Sequence, residues 1–410
     1  MREPNSEMKR VVVIGAGAIG CAAAWHLRQR GCAVTLLEAE DGPATQASAA
    51  AAGFVAHWST HFILPWGATE WGMQDYGIRF YTDMAERLDD DIGYVPCGIA
   101  FVYLNEETWR FVQPLIADAG ELGTSLEVLG SDRCAEVLPM LDIGRVAGIV
   151  YEADAIRVRA ADAIPALARE LERDGVDLRY STRMTGLLES GGRVSGVRTE
   201  QGTVDADQVV IAAGAWTRPL VDAMEVPCPA EPTVEARYTT RPIGGVPADM
   251  PLLIFPDCHG FYIREERGGL LIGGSDAGDM PADRKVDALR PPLSTEIETR
   301  QTDRIREYIR EIEDVMPVLA GAEIEQVNAG LPTFTDENRF IVDEIASHRG
   351  AFFVSGCNEG GVTHGPGLGK LVSELMLDGS SAWDQFRIVA LTLLGSSGLI
   401  SCGTFTHGFL

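Results

Sequence analysis

The apolar positions of this chain first fall in an unbroken run, Val11-Val12-Val13-Ile14, then spread to helical spacing as far as Arg30. They close up again at Ala33-Val34-Thr35-Leu36-Leu37-Glu38. A short continuous apolar run reads as a strand covered on both faces, so run, helix and run predict a βαβ unit. Helical spacing returns over residues 71–88, and 95–104 reads as strand. Residues 160–173 place Ile164, Leu167, Ala168 and Leu171 on one helical face, ahead of a strand at 176–180. A meander follows: 184–189, a Ser190-Gly191-Gly192 turn, 194–199 and, past Gly202, a buried run at 208–216.

From residue 226 the pattern changes. Proline-rich joints separate alternating strands such as 233–240, and the runs 261–264 and 270–272 flank a Glu-Glu-Arg-Gly-Gly turn as a hairpin. A helix over about 294–313 carries Ile305, Tyr308, Ile309 and Ile312 along one stripe. These elements predict an antiparallel sheet covered by helices. A buried strand at 352–356, a glycine-rich turn at 360–367 and a helix bearing Leu368, Leu371, Val372, Leu375 and Met376 then return the chain to its first domain. The fold class expected is α/β (α+β overall): a Rossmann-like nucleotide-binding domain with a mixed or antiparallel-sheet second domain.

The turn between the first strand and helix is Gly15-Ala16-Gly17-Ala18-Ile19-Gly20. In this context G-x-G-x-x-G is a dinucleotide fingerprint. Gly15 permits the tight turn, Gly17 lets the backbone approach a pyrophosphate, and Gly20 lets helix and sheet pack closely. The helix N-terminus offers unpaired N–H groups to phosphate. Glu38 ends the second strand, where it can accept hydrogen bonds from a ribose. The motif alone does not separate FAD from NAD. The small-residue segment 41–53 reads as chain laid against a ligand, and the small residues ending the 208–216 run suit a second close approach.

Composition adds exclusions. The 410 residues, 46% hydrophobic and 23% charged, describe a globular chain of about two or three domains. A net charge of −26 argues against nucleic acid or an anionic membrane surface as partner. The first ten residues are polar, with no secretory pattern. Eight cysteines scattered without C-x-x-C spacing fit a reducing cytoplasm. Seven histidines without ligand spacing give no expectation of a metal. The tail at 388–410 is apolar but broken by Gly395, Ser396, Ser397 and Gly398, so no membrane span is expected.

Four blocks, 11–38, Ala47-Ser48 through Ala52-Gly53, 209–216, and 330–369 with its Phe334-Thr335-Asp336-Glu337-Asn338, occur in an order that resembles a known family. The chain is similar to the FAD-dependent amine and amino-acid oxidoreductases of the D-amino acid oxidase, glycine oxidase and sarcosine oxidase superfamily. An NAD enzyme explains only the first block. The resemblance implies an FAD domain assembled from 9–90, 145–225 and 326–387, a substrate domain from 91–144 and 226–325, and a C-terminal tail at 388–410. It implies that Gly15, Gly17, Ala18, Ile19 and Gly20 cradle the pyrophosphate, with Glu38 and Ala39 at the ribose. It also implies that Ser48, Ala50, Ala51 and Gly53 run along the flavin. Met184 flanks the adenine, with Ala213, Gly214 and Trp216 nearby. Gly330, Leu331, Gly360, Gly361, Val362 and Thr363 line the isoalloxazine, with a helix N-terminus at its N1/O2 edge.

The chain departs from that family at several positions. Ala51 stands where Asn is frequent, and Ala329 and Ala50 stand where covalent members carry Cys or His, so the FAD is expected to be non-covalent. Leu271 stands where oxygen-reactive members carry Lys, which favours a dehydrogenase over a fast oxidase. Thr363 stands where a carboxylate-binding Lys is found. No catalytic acid or base is named, because hydride transfer from a carbon bearing nitrogen needs orientation above all.

Substrate-site candidates are Tyr262 and Arg264 on one face of their strand, and Arg237 in preference to Tyr238 on the next. An arginine there can pair a carboxylate in two-pronged fashion; a hairpin arginine paired with Glu265 or Glu266 is the alternative. His57, Trp58, His61 and Trp66 lie near the expected flavin loop, and Thr363 and His364 at the second glycine turn. The leading function is oxidation of a small-molecule amine or amino acid to an imine, with O2 or a redox carrier as electron acceptor. A 2-hydroxy acid dehydrogenase and a flavoprotein subunit of a larger complex remain as alternatives, and a homo-oligomer is left open.

Overall fold

The computed structural model describes residues 8–57, 68–121, 126–274, 294–335 and 339–383. Its first sheet has six strands in the order Ile341–Glu344, Ala351–Ser355, Gln208–Ile211, Arg10–Ile14, Ala33–Leu37 and Asp177–Arg179. All pairings are parallel except that of the Ile341–Glu344 edge. Val11 and Val13 point into a core shared with the helices Ala18–Gln29, Ala160–Arg173 and Gly361–Asp378. Val12 and Ile14 point the other way, against the three-stranded meander Met184–Ser190, Arg193–Thr199 and Gly202–Asp205. Both faces are covered, which is why the strand needs four apolar residues in succession.

The second sheet has eight strands: Ile324–Gly330, Glu235–Thr240, Gly269–Gly273, Phe261–Glu266, Leu252–Phe255, Ile99–Tyr103, Gly148–Glu152 and Leu126–Val128. It is antiparallel apart from the junction of Leu252–Phe255 with Ile99–Tyr103. One face packs on the Ser294–Ile312 helix through Ile305, Tyr308, Ile309 and Ile312. The other takes Trp109, Val112 and Ile116 of the Glu106–Glu121 helix. The hairpin turns at Arg267 and Gly268, both with left-handed φ of 51° and 83°, as a two-residue turn of matching twist requires.

Sheet membership moves two of the expected domain crossovers. Gly148–Glu152 pairs with Ile99–Tyr103, and Ile324–Gly330 with Glu235–Thr240. The strands assigned from 145 and from 326 to the nucleotide domain therefore belong, as far as residues 152 and 330, to the second sheet. Gly148–Glu152 is buried as the strands of the first sheet are, and Ile324–Gly330 is a half-exposed edge strand, so local apolar content assigns neither to its sheet. Smaller shifts have local causes. Val95 makes only a single bridge, to Arg157, before the strand proper starts at Ile99. The expected 233–240 strand starts at Glu235, and a separate two-residue strand, Glu231–Pro232, precedes it and pairs with Thr333–Phe334.

A long glycine-bearing contact joins the first and last helices of the nucleotide half. A Cβ on Gly369 would lie 2.5 Å from the Ala23 nitrogen, so the backbones touch. No helix among the described residues is long and apolar enough to cross a membrane. The 388–410 tail lies outside the described residues.

Candidate active site

A cavity of about 350 Å³ lies along the carboxyl ends of the parallel strands, walled by Ile14, Leu37 and Ala212. This is where an open parallel sheet places its ligand. Gly15, Gly17, Ala18 and Ile19 line its floor, and Glu38 and Ala39 one end. Gly15 has φ +100° and a Cβ there would sit 2.6 Å from the Ala212 carbonyl oxygen, so only glycine fits the turn. The Glu38 carboxylate accepts the Ala16 N–H at 2.7 Å and the Glu40 N–H at 3.0 Å, which fixes it at the cavity edge with lone pairs to spare. The Ser48 hydroxyl accepts the Ala18 N–H at 3.0 Å and ties the short Ala47–Ala50 helix over the turn.

The remaining expected cofactor residues divide in two. Ser48, Ala50 and Ala51 line the same cavity, as do Met184, Ala213, Gly214 and Trp216, then Gly330, Leu331, Gly361 and Val362. Gly20 does not. A Cβ on it would come 1.8 Å from the Gly15 carbonyl oxygen, so its place is between helix and turn, one layer behind the ligand. Gly53, Gly360 and Thr363 line a second chamber of about 30 Å³ instead. The two cavities abut, since Ala51, Arg237, Glu359 and Val362 line both.

Two helix N-termini open on this space. The helices Ala18–Gln29 and Gly361–Asp378 are capped by Gly17 and Gly360 with no side-chain cap bond, and neither carries an acidic residue in its first turn. Apart from the Ala18 N–H, which Ser48 takes, their first-turn N–H groups and positive dipole ends suit an anion at each end of an elongated ligand. Glycine floor, ribose carboxylate and paired helix ends fit a dinucleotide carrying a second ring system. Ala50 offers the cavity only a methyl group, and Ala329 packs against the second-sheet core, outside the cavity.

The second chamber is walled by Phe54, Arg237, Tyr262, Glu359 and Thr363. Alternation along Glu235–Thr240 points Glu235 and Arg237 to the cavities, while Ala236 and Tyr238 enter the sheet core. Arg237 is 5% exposed. It donates to a Glu359 oxygen and to the Ala236 carbonyl, lies 3.8 Å from a Glu235 oxygen, and holds its guanidinium carbon 4.9 Å from the Tyr262 ring centre. Burial opposes its charge, but Tyr262, Glu359 and Glu235 outweigh that and raise its pKa. Burial first, then the Glu359 charge, pushes the Glu235 carboxyl up to about 9, with Arg237 opposing. Burial likewise drives the Tyr262 phenol well above its usual range.

Three substrate-site candidates fall elsewhere. Arg264 shares its strand face with Tyr262 but lines neither cavity. It is 2% exposed, donates to the Ala52 and Glu265 carbonyls, and is ion-paired to Glu266. It is thus a buried clamp between sheet and loop, neither a substrate arginine nor a solvated one. His57 is also outside both. It bridges Glu152 on the second sheet and Asp75 on the Ala68–Arg87 helix, the latter at 2.8 Å. Burial works against the His57 cation, but hydrogen bonds and charge from Glu152 and Asp75 prevail and raise its pKa.

His364 is buried against Phe340, with Nδ1 3.1 Å from the Gly360 carbonyl oxygen, and burial lowers its pKa to about 3, leaving it neutral. Its place is inside the helix packing, behind the chamber. Thr363 lines the chamber and donates to the Phe54 carbonyl at 2.7 Å. Leu271 is buried with Phe54 and Tyr262. Trp58, His61 and Trp66 lie outside the described residues.

Sequence reasoning missed Glu235 and Glu359, which are 124 positions apart and meet only through Arg237. It also missed Thr182, Arg183, Pro219 and Leu220 along the nucleotide cavity. Away from both cavities, Cys258, His259 and Glu311 bring their polar atoms within 4.8 Å of one another at the surface; His259 stacks on Tyr308 there at 4.1 Å between ring centres.

Residues 10–375 match the family model described as FAD dependent oxidoreductase. The chain is 28% identical over 390 residues to 4-methylaminobutanoate oxidase (formaldehyde-forming) of Paenarthrobacter nicotinovorans, covering 94% of itself but only 46% of that protein. It is 25% identical over 376 residues to the glycine oxidase of Pseudomonas putida, covering 90% of itself and 94% of that enzyme. The crystal structure of L-proline dehydrogenase from P. horikoshii superposes with a TM-score of 0.78 at 20% identity, over 93% of this chain and 98% of that one, a likeness of fold. With the fingerprint, the strand-end cavity and a family match across most of its length, the chain belongs to the FAD-dependent oxidoreductases, and its cofactor is FAD.

Proposed function

We propose that this protein oxidises the C–N bond of a small amine or amino acid to an imine, which water then hydrolyses. The observation that carries the reading is the chamber of about 30 Å³ opening off the inner end of the cofactor cavity, between Phe54, Tyr262 and the Gly360 turn. Bound FAD supplies a two-electron acceptor for a hydride. The chain's part is positional. Phe54, Tyr262 and Val362 exclude water from the chamber, and the Gly361–Asp378 helix N-terminus aims N–H donors at the place where negative charge develops. Both curated relatives named above are amine or amino-acid oxidases by name, which supports C–N over C–O chemistry.

A partner-dependent flavoprotein is the second reading, because the chain spans less than half of the methylaminobutanoate oxidase it resembles. Leu271 in place of a cation favours a dehydrogenase passing electrons to a redox carrier, and Ala50 and Ala329 favour non-covalent FAD. No disulfide joins the seven described cysteines, in keeping with a cytoplasmic site of action. The test is an anaerobic screen of amines, amino acids and 2-hydroxy acids against the FAD-loaded protein, following flavin bleaching. Bleaching with release of ammonia or amine supports C–N oxidation. Bleaching only by hydroxy acids, with a 2-keto acid product, refutes it.

A further inference from the structure

Between the strands Leu252–Phe255 and Phe261–Glu266 the chain makes a tight turn. The Cys258 N–H donates to the Phe255 carbonyl at 3.1 Å, and the Phe261 N–H to the Cys258 carbonyl at 2.9 Å. This turn presents a thiol and an imidazole from adjacent residues, and amine oxidation uses neither. Cys258 is 5% exposed and packs in the core beneath the Ser294–Ile312 helix. The His259 ring stacks on Tyr308, with 12° between planes and 4.1 Å between ring centres. Glu311 stands three positions past Tyr308 on the same helix, hence on the same face. Tyr308 thus sets the plane of the imidazole, and the helix brings a carboxylate to its edge.

One oxygen of Glu311 meets both neighbours. Oε2 lies 3.7 Å from Cys258 Sγ and 3.3 Å from His259 Nε2, and the polar atoms of all three lie within 4.8 Å of one another. Around tetrahedral zinc, bonds of about 2.3 Å to sulfur and about 2.0–2.1 Å to nitrogen and oxygen hold ligand atoms about 3.3–3.6 Å apart. Both Glu311 distances are close to that spacing. The donor set selects the ion: thiol and imidazole beside one carboxylate suit zinc, whereas magnesium and calcium take oxygen ligands. Glu311 also sits in the last turn of its helix, where the negative end of the backbone dipole favours a cation. The His259 and Glu311 side chains are 38% and 52% exposed, so the outer side of the trio is open to solvent.

We infer that Cys258, His259 and Glu311 form a zinc site that pins the turn between these strands to the Ser294–Ile312 helix, with water in the fourth position. Binding releases the Cys258 proton to solvent, takes the imidazole in its neutral form and changes no oxidation state. The site lies away from both cavities and does not depend on the oxidation reading. Sequence spacing does not reveal it, because Glu311 lies 53 positions past Cys258.

The test uses FAD-loaded protein without an affinity tag, stripped with chelator and titrated with Zn2+ by calorimetry and with Co2+ by absorption. One zinc per chain is expected, with a rise in melting temperature that Mg2+ does not produce. Co2+ is expected to give tetrahedral d–d bands at wavelengths beyond the absorption of oxidised flavin. The variants are Cys258→Ser, Glu311→Gln and His259→Asn, the last chosen because His259 has a left-handed φ of 54° that asparagine tolerates. Losing a ligand costs at least as much as losing a residue that supports one, so each should weaken zinc binding about tenfold or more. FAD content and metal-free melting temperature should hold. If Cys258→Ser fails to fold, the two surface variants decide. Absence of zinc binding, equal affinity in the Glu311 and His259 variants, or an octahedral cobalt spectrum overturns the inference.

Discussion

Gly20→Ala isolates the layer behind the cofactor. In place of hydrogen, a methyl carbon would stand 1.8 Å from the Gly15 carbonyl oxygen, where ordinary contact begins at 3.4 Å, so 3.4 − 1.8 = 1.6 Å must be found. The opposing atom is backbone, in the turn whose other side faces the cavity, and no flexible side chain can swing away. Overpacking of this kind costs about 1–3 kcal/mol, and a violation this large belongs at the upper end. Replacing a helical glycine returns about 1 kcal/mol, leaving a net loss of about 2 kcal/mol. For a chain of this size that lowers the melting temperature by roughly 3 °C or more.

The same displacement moves Gly15 and Gly17 off the pyrophosphate. Losing one charge-assisted hydrogen bond there weakens FAD binding by roughly tenfold to a hundredfold. The assay is FAD titration of apoprotein by fluorescence quenching, with thermal melts of apo and loaded protein. Gly42→Ala is the control, since no neighbour lies within 4 Å of its added methyl group. If Gly20→Ala matched this control in both FAD affinity and apoprotein melting, the role assigned to helix–turn contact would be refuted.

Other substitutions probe separate features. Glu38→Ala removes the acceptor of the Ala16 and Glu40 N–H groups and the ribose partner together, and should raise the FAD dissociation constant by roughly tenfold or more, measured by the same titration. Acid precipitation should release all the yellow colour into the supernatant, because alanine stands at both attachment positions; colour retained in the pellet contradicts non-covalent binding. His26 is held by burial at a pKa of about 4 against an ordinary 6.5, with Nε2 donating to the Pro366 carbonyl at 3.2 Å. Between these values the unfolded chain binds more protons, so stability falls as pH drops through that window. About 2 kcal/mol is lost by roughly pH 5, and His26→Gln should flatten that part of the melting-temperature profile. Glu265→Ala strands the buried Arg157 guanidinium and should cost about 3–5 kcal/mol in chemical denaturation. The paired change Arg157→Met with Glu265→Leu should recover most of it.

The nucleotide half was legible because its chemistry is local. Gly15, Gly17 and Glu38 lie within one βαβ unit, and strand, turn and helix announce themselves by spacing. The second glycine turn before the Gly361–Asp378 helix was equally plain. What escaped was set by pairing at a distance. Glu235 and Arg237 face the cavities because of their register opposite Gly330 and Asn328, which no local pattern encodes. Arg264 could be read as a substrate arginine or as a hairpin arginine paired with Glu265 or Glu266; it is paired with Glu266, and what no local pattern showed is Ala52, 212 positions away, accepting its Nε–H. His57 likewise depends on Glu152, 95 positions on. Gly20 carried the right motif but sits one layer too deep to touch the ligand. The domain crossovers slipped for the same reason: the partners that place Gly148–Glu152 and Ile324–Gly330 in the second sheet are Ile99–Tyr103 and Glu235–Thr240, distant in sequence.

The six-stranded sheet takes its strands from three distant stretches, with Val12 beside Val209 and Ile211 beside Phe353. A ribosome adding about 5–20 residues per second needs on the order of tens of seconds to get from the first of these strands to the last. Until Gln208–Ile211 emerges, the nascent Arg10–Ile14 strand can pair with Ala33–Leu37, yet its other edge stays bare, an invitation to wrong partners; Gln208–Ile211 in turn waits for Ala351–Ser355. The seat for the flavin closes only when Gly361–Asp378 docks on the first helix. Cofactor loading therefore waits until the Gly361–Asp378 helix has been made, and cells starved of riboflavin should accumulate the protein without its flavin.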